Sequence, residues 1–148
     1  MKKVLSLCVI CLMAMTAMAQ TVWVDLDLPS GTKWKSVNEN GYFSYEEAVD
    51  NFGAFLPTKE QFQELKACCI WEWKGDGYLV TGNNGNSIFL PAAGHRDGTY
   101  VFGVQVYGHY WSATVDDGGF ANGLGFDSDE ASMGLNYRGY GFSVRLVK

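Results

Sequence analysis

The chain lacks the sequence motifs of the common enzyme classes. It contains no HExxH, no GxSxG, no P-loop and no glycine-rich dinucleotide-binding pattern. His95 and His109 could act as general bases, but the spacing fixes no orienting carboxylate and no nucleophile beside them. Asp97 is near His95, yet His-Arg-Asp-Gly is also typical of a polar turn. We therefore predict no catalytic residues and no cofactor, with an enzyme as a distant alternative.

Positive charge is also scarce. The chain has 11 lysine and arginine residues against 16 aspartate and glutamate residues, which gives a formal net charge of −5. The basic residues are scattered singly, so no stripe of positive charge is available to neutralise phosphates. We expect neither nucleic acid nor an anionic lipid surface as a partner.

Long apolar runs are confined to the N-terminus. Met1–Ala19 begins with two lysines, continues as an apolar run and ends in Ala-Met-Ala, a small-x-small site typical of signal-peptide cleavage. No later run is long enough to span a bilayer. We predict a signal peptide at 1–19, a single domain at 20–148, and export to the periplasm, the cell surface or the medium. An uncleaved membrane anchor is the less favoured alternative.

Cysteine is rare after the predicted cleavage site, where only Cys68 and Cys69 remain. Adjacent α-carbons are about 3.8 Å apart, which is shorter than the usual disulfide span of about 4.4–6.8 Å. We therefore expect packed thiols. Two adjacent cysteines are too few to ligate zinc, and Asp127–Glu130 (DSDE) lacks the alternating pattern of an EF-hand loop. We predict no metal site.

The second half of the chain contains three short apolar runs set between glycines. Their β-branched and aromatic residues and their Gly, Asn or Asp boundaries predict strands within Gly85–Gly94, Gly108–Thr114 and Gly141–Val147. In the second run, Tyr110 and Trp111 should point to opposite faces, with Trp111 buried. In the third run, apolar and polar residues alternate, which predicts that they face opposite sides of the strand. The apolar residues are Phe142, Val144 and Leu146, and the polar residues are Ser143 and Arg145.

Two helices are predicted ahead of these strands. Ser44 with Glu47, and Thr58 with Gln61, form capping boxes, and Gly53 closes the first helix. In the second helix, residues suited to burial recur at helical spacing, which predicts one buried stripe: Phe62, Leu65 and Cys69. Before both helices, an alternating segment at Val22–Leu28 and a Pro-Ser-Gly turn predict two strands. This order predicts an α+β fold.

Six segments resemble the Fibrobacter succinogenes major paralogous domain, a domain of exported bacterial proteins: LPSGTKW, LPTKEQFQEL, WEW, NGNSIFLPAAG, YWSAT and GFSVRLV. They occur in the family's order and cover nearly all of Val22–Lys148. The family is related in form to the C-type-lectin-like and formylglycine-generating-enzyme folds. The resemblance implies a lectin-like domain with two helices packed on a twisted, mainly antiparallel sheet with long loops, in which the first and last strands pair. We accordingly expect Phe142–Leu146 to pair with Val22–Leu28.

The resemblance implies little about activity, since family members mostly lack a defined one and a fold alone does not supply it. The formylglycine-generating enzymes act through cysteines late in the chain, and none follows Cys69 here. Calcium-dependent lectins use a Glu-Pro-Asn or Gln-Pro-Asp loop, whereas the nearby Pro91 has no acidic or amide neighbour. Neither activity is expected.

Aromatic and polar residues in two late segments are the remaining candidates for function. One segment is a predicted long loop from His95 to His109, and the other precedes the last predicted strand. Tyrosine, arginine and asparagine together suit recognition, because rigid rings stack and planar polar groups donate hydrogen bonds. The candidate ligand-binding residues are His95, Arg96, Tyr107, His109, Tyr137, Arg138 and Tyr140. The competing interpretation is that the tyrosines only cover a small domain.

These observations predict an exported, non-enzymatic recognition module that binds an extracellular glycan or protein through the late loops. The alternative is a structural or adhesion component of the cell surface whose partners are only proteins. A groove lined by exposed aromatics and amides would favour a glycan, and a flat apolar patch would favour a protein.

Overall fold

A computed structural model describes residues 20–116 and 118–148, so the predicted signal peptide at 1–19 lies outside the described residues. The helices are α1 (Tyr45–Phe52) and α2 (Lys59–Cys68), and a one-turn 3-10 helix, Gly53–Phe55, lies between them. The strands in chain order are β1 (Trp23–Asp25), β2 (Lys33–Lys35), β3 (Ile70–Trp73), β4 (Gly77–Thr81), β5 (Ser87–Pro91), β6 (Ala93–Asp97), β7 (Tyr100–Val104), β8 (Gly108–Val115), β9 (Phe120–Phe126) and β10 (Ala131–Tyr137).

These strands form three small sheets. The first pairs β1 with β2, the second has the order β3-β4-β5, and the third has five strands in the order β10-β9-β8-β6-β7. Every pairing between strands is antiparallel except that of β6 with β8, which is a single parallel bridge from Gly94 to Gly108. The predicted α+β fold with two helices and a mostly antiparallel sheet is confirmed at this level.

Both predicted helices form where their capping boxes place them. Ser44 Oγ accepts a hydrogen bond from Glu47 N, and Thr58 Oγ1 accepts one from Gln61 N. In each box the N3 side chain bonds back to the capping residue. Gly53 ends α1 at a positive φ of 50°, a conformation that glycine adopts easily.

The last segment of the chain is placed differently from the prediction. Residues 141–143 form isolated bridges with Arg96, Phe43 and Tyr110. Residues 146–148 pair with β2 instead of with Val22–Leu28: Lys33 N donates to Lys148 O and Lys35 N to Leu146 O, both at 2.9 Å. The physical reason is that β1 and β2 form a hairpin, so β2 lies between β1 and the chain end. The two ends still meet, since Lys148 Nζ lies 5.0 Å from the centre of the Trp23 ring.

The opening strand is also shorter than its alternating sequence predicts. Asp27 has a φ of 57°, in the left-handed region, and this turn ends the extended segment after Asp25. Leu26 and Leu28 are nevertheless buried, whereas Val22 is exposed. The hydrophobic pattern therefore identified the buried leucines although the backbone there is irregular.

Strand β8 separates two apolar cores. Tyr110 belongs to the larger core, with Trp34, Phe62 and Leu90, while Trp111 belongs to the smaller one under α1. Both residues are fully buried, so the predicted alternation of faces is confirmed and both faces of β8 are covered. Trp111 stacks on Phe142 with ring centres 4.2 Å apart and donates its indole N–H to Phe43 O at 2.7 Å.

The final segment buries the residues predicted for both of its faces. Ser143 and Arg145 are only 3% and 1% exposed, because β2, β5 and β8 surround this part of the chain. Arg145 Nε donates to Asn38 Oδ1 at 2.8 Å, and its other nitrogens donate to the backbone carbonyls of Lys35, Ser36 and Phe89. Burial lowers the pKa of the Arg145 guanidinium to about 10, which leaves it charged at neutral pH.

We predict that Trp111→Ala lowers the free energy of unfolding by about 3–5 kcal/mol, since it leaves a cavity against Phe142. Denaturant melts measure this loss. Trp23→Ala is the control, because Trp23 is partly exposed and should cost less. A loss below about 1 kcal/mol for Trp111→Ala, as for surface substitutions, would contradict the placement of this ring in the core.

We predict that Arg145→Met lowers the free energy of unfolding by about 2–4 kcal/mol, because buried carbonyls and the Asn38 amide lose their donor. Arg138→Met is the matched control, since Arg138 is partly exposed and its loss should cost less than about 1 kcal/mol. Equal melting curves for the two variants would show that the buried network does not stabilise the fold.

Candidate functional site

Four of the seven residues predicted to bind ligand meet in one aromatic cluster. The ring centres of His95 and Tyr107 are 5.7 Å apart, those of His95 and Tyr140 are 5.2 Å apart, and those of Tyr107 and His109 are 5.3 Å apart. A hydrogen bond of 3.1 Å joins the Tyr107 hydroxyl to His95 Nδ1. We call these four residues the ring cluster.

The segment from His95 to His109, which carries three of these four residues, is not the long loop that the sequence predicts. β6 and β7 form a hairpin across it, with Gly98 at a φ of 58° in the turn. The prediction was wrong because it gave no weight to Tyr-Val-Phe-Gly-Val, an apolar run of aromatic and β-branched residues that follows an Asp-Gly turn and is typical of a strand. The hairpin places Tyr100 and Phe102 on exposed positions of an edge strand.

The remaining three predicted residues lie beside the ring cluster. Tyr137 ends β10 and contacts Tyr140 with ring centres 5.5 Å apart. Arg138 extends to α1, where its guanidinium lies 3.6 Å from Glu46 and 5.1 Å from the Tyr45 ring.

Arg96 makes a similar contact with α1, 3.9 Å from Glu47. Both arginines therefore attach the late strands to the acidic first turn of α1, which gives each of them a structural contact. They adjoin the ring cluster but are not part of it.

A groove of about 390 Å³ lies next to the ring cluster and includes Tyr107 and His109 in its wall. Asn136 belongs to the second late segment that the sequence analysis selected, and Asp127–Glu130 was considered only as a metal site. The sequence analysis missed the remaining lining residues: Gly123, Gly125, Phe126, Ser132 and Gly134. These residues belong to β9, β10 and the turn between them. The candidate site is therefore built on the sheet as much as on the late loops.

Glycines make the floor of this groove. Across the sheet, His109 pairs with Gly125 and Gly125 with Ser132, while Gly123 pairs with Gly134. A Cβ added at Gly125 would lie 3.3 Å from the His109 ring, whereas one at Gly134 would meet nothing within 4 Å. Because Gly125 has no side chain, the His109 ring can lie over the sheet. Because Gly134 has none, the backbone beside that ring is left uncovered. Glycines inside apolar strands often mark such close approaches, and this signal could have identified the site.

Negative charge is concentrated at one end of the groove. Asp127 Oδ1 accepts hydrogen bonds from Asp129 N at 2.9 Å and Glu130 N at 3.1 Å, and these bonds lower the pKa of the Asp127 carboxyl. No lysine or arginine lines the groove among the described residues. Its charge therefore favours neutral or cationic ligands over anionic ones.

His109 is the most strongly perturbed group of the site. Burial lowers its pKa to about 4, and the neighbouring His95 contributes to the same shift. Its Nδ1 is buried without a hydrogen-bond partner among the described residues. The imidazole is therefore neutral at pH 7, where it presents an aromatic ring and no charge to the groove.

Potential metal ligands are dispersed in the part of the chain that the structure describes. No group of three or more His, Cys, Asp or Glu side chains there is arranged to hold a metal ion. Cys68 and Cys69 are both free thiols at the end of α2, and burial raises the pKa of Cys69 to about 11. Cys69 packs against the larger core as predicted.

Comparisons of the chain with protein-family models, with curated proteins and with solved structures found no significant match. The resemblance to the Fibrobacter succinogenes major paralogous domain therefore stays a prediction. Over the described residues, no helix combines the length and apolar character that crossing a membrane requires.

We predict that acidification from pH 7 to pH 4.5 destabilises the protein partly through His109. The unfolded chain binds a proton at this histidine below about pH 6.5, whereas the folded chain resists protonation until about pH 4, so falling pH favours unfolding. His109→Gln should therefore lose less stability than the wild type over this range. Melting temperatures at both pH values test this, and parallel losses in the two proteins would contradict it.

Proposed function

We propose that this chain is an exported, non-enzymatic recognition module that binds an extracellular ligand, a glycan or a protein, at the groove and the ring cluster. The observation that carries the proposal is the convergence of His95, Tyr107, His109 and Tyr140 beside a groove of about 390 Å³. That volume falls within the range of about 300–1,000 Å³ that is usual for small-ligand sites.

The chemistry of the groove suits a neutral sugar best. Rings at Tyr107 and His109 offer apolar faces for stacking, and the carboxylates of Asp127 and Glu130 accept hydrogen bonds from hydroxyl groups. Asn136 Nδ2 donates to Gly134 O at 3.0 Å, which fixes the amide at the edge of the bare floor. The absence of a lining cation disfavours acidic sugars among the possible ligands.

The contacts of His95 support recognition over catalysis. Its Nδ1 bonds to the Tyr107 hydroxyl, and its ring is surrounded by other rings. Asp97 lies further along β6, opposite Tyr100, so the His-Arg-Asp sequence supplies no orienting carboxylate here. An enzyme remains the distant alternative. Export is the part of the proposal that rests on Met1–Ala19.

One observation favours the second candidate, an adhesion component with only protein partners. Five large apolar side chains on and just after edge strand β7 are exposed: Tyr100, Val101, Phe102, Val104 and Val106. Exposed apolar patches of this kind mark protein contacts. This surface lies on the same hairpin as His95. Substitutions in the groove and on β7 are therefore needed to distinguish glycan binding from adhesion to a protein.

We predict that Gly134→Val blocks glycan binding while leaving the fold intact, because a Cβ there meets no neighbour and its side chain would occupy the groove. Tyr107→Ala, in the groove wall, should weaken binding by about 1–3 kcal/mol, or about 5- to 150-fold. Tyr137→Ala and Arg138→Ala should weaken it less, because these residues adjoin the ring cluster but do not line the groove. Glycan-array binding of residues 20–148, with and without calcium, provides the ligand and the measurement.

Tyr100→Ala is the control, since it lies outside the groove and alters the β7 patch. A glycan that binds Gly134→Val as tightly as the wild type would place recognition elsewhere. If no glycan binds, and Tyr100→Ala abolishes capture of a cell-surface protein that Gly134→Val still captures, the adhesion alternative is correct.

A further inference from the structure

A second groove, of about 510 Å³, lies on the opposite side of β10 from the candidate site. Its floor is apolar and is formed by Phe62 and Ala67 of α2 and by Leu124 and Met133 of the sheet. Ser132 borders both grooves, but Met133, Leu124 and the α2 residues line only this one, whereas Gly134 and Asn136 line only the groove beside the ring cluster. We call it the helix groove.

Two lysines of α2 border the helix groove. Lys59 and Lys66 lie on its rim, and neither ammonium is within ion-pair distance of a carboxylate in residues 20–116 and 118–148. Asp129 and Glu130 line a neighbouring depression with Lys66, so part of the charge of Lys66 is offset at longer range. In an acidic chain of net charge −5, two lysines facing one apolar groove make a local positive site.

The strand beside this groove has a free edge. β10 is the outermost strand of the five-stranded sheet, and within the described chain the backbone of residues 131–136 pairs only with β9. It carries no charged residue, and Leu135, on the same face as Met133, is 53% exposed. Charged residues that would prevent strand addition are therefore missing from this edge.

We propose that the edge of β10 and the helix groove together bind an extended acidic peptide, which adds to the sheet as a further strand. Backbone hydrogen bonds to β10 would supply affinity, and side chains facing α2 would supply specificity. One apolar side chain would lie on the groove floor, and a carboxylate on each side of it would meet Lys59 and Lys66.

The spacing of the two lysines defines the peptide. Seven residues of α-helix separate them along the axis by about 10.5 Å. Two residues four apart on a strand are separated by about 13 Å and face the same side, with one further residue between them on that side. Acidic, apolar and acidic residues at alternate positions match the rim, the floor and the rim of the helix groove.

The test uses a fluorescein-labelled peptide with the sequence Thr-Glu-Thr-Val-Thr-Glu-Thr, blocked at both ends, and measures anisotropy with residues 20–148. The matched probe has both glutamates replaced by lysines. We expect the acidic peptide to bind, Lys59→Glu to weaken it by about five- to tenfold, and Lys66→Glu to weaken it less. Lys33→Glu, at the exposed first position of β2, is the control and should change nothing. The double variant Lys59→Glu with Lys66→Glu should prefer the lysine peptide.

Two further probes separate strand addition from simple groove occupancy. The N–H groups of a strand point alternately to its two edges, so either the threonines or the glutamates and the valine of an added peptide donate to β10. One version of the acidic peptide has the threonines N-methylated and a second has the glutamates and the valine N-methylated, and we expect one of the two not to bind. If both versions bind as tightly as the unmethylated peptide, strand addition is overturned. If decanoate binds and the peptide does not, the groove takes an amphipathic carboxylate and the proposal is overturned. Equal binding of the acidic and lysine peptides would exclude the role of the two lysines. Gly134→Val should leave peptide binding unchanged, which keeps this test separate from that of the glycan groove.

Discussion

The buried guanidinium of Arg145 is the interaction on which the arrangement of the three sheets depends. Its hydrogen bonds connect the final segment to the carbonyl of Lys35 in the first sheet and to that of Phe89 in the second. Asn38 accepts from Arg145 and donates to the Tyr110 hydroxyl at 3.0 Å, which brings the five-stranded sheet into the same network. A buried cation is tolerated only when such acceptors surround it, so the network favours one mutual placement of the sheets.

The position of β8 follows from this constraint and determines where a site can form. Its two faces are both buried, with Tyr110 toward the Arg145 network and Trp111 toward α1. The rings of Trp111, Phe142, His109 and Tyr107 contact one another in that order. The rings of Phe142 and His109 are stacked, with centres 4.8 Å apart. The ring cluster is therefore the outer end of a packed column. Its aromatic side chains are held by the core, which limits the conformational entropy that ligand binding would cost.

Local sequence signals predicted the helices well and the placement of the last segment poorly. Ser44 and Thr58 determine helix starts by hydrogen bonds within four residues, so no knowledge of distant parts was needed. The pairing of Lys33 with Lys148 depends on how the first hairpin packs, and nothing near either residue encodes it. The candidate site shows the same division. Aromatic composition identified the ring cluster, but the groove needed the register that pairs Gly123 with Gly134, which residue types alone do not give.

The pairing of glycines between β9 and β10 affects both faces of β10. On one face, Gly123 and Gly134 remove side chains and open a groove beside His109. On the other face, Met133 packs toward α2 while Leu135 remains exposed beyond it. A strand with glycine and serine on one face is held to the sheet mainly by its backbone pairing with β9 and by the few apolar contacts of the opposite face. A ligand in either groove would add contacts to this outermost strand, on the face where that groove lies.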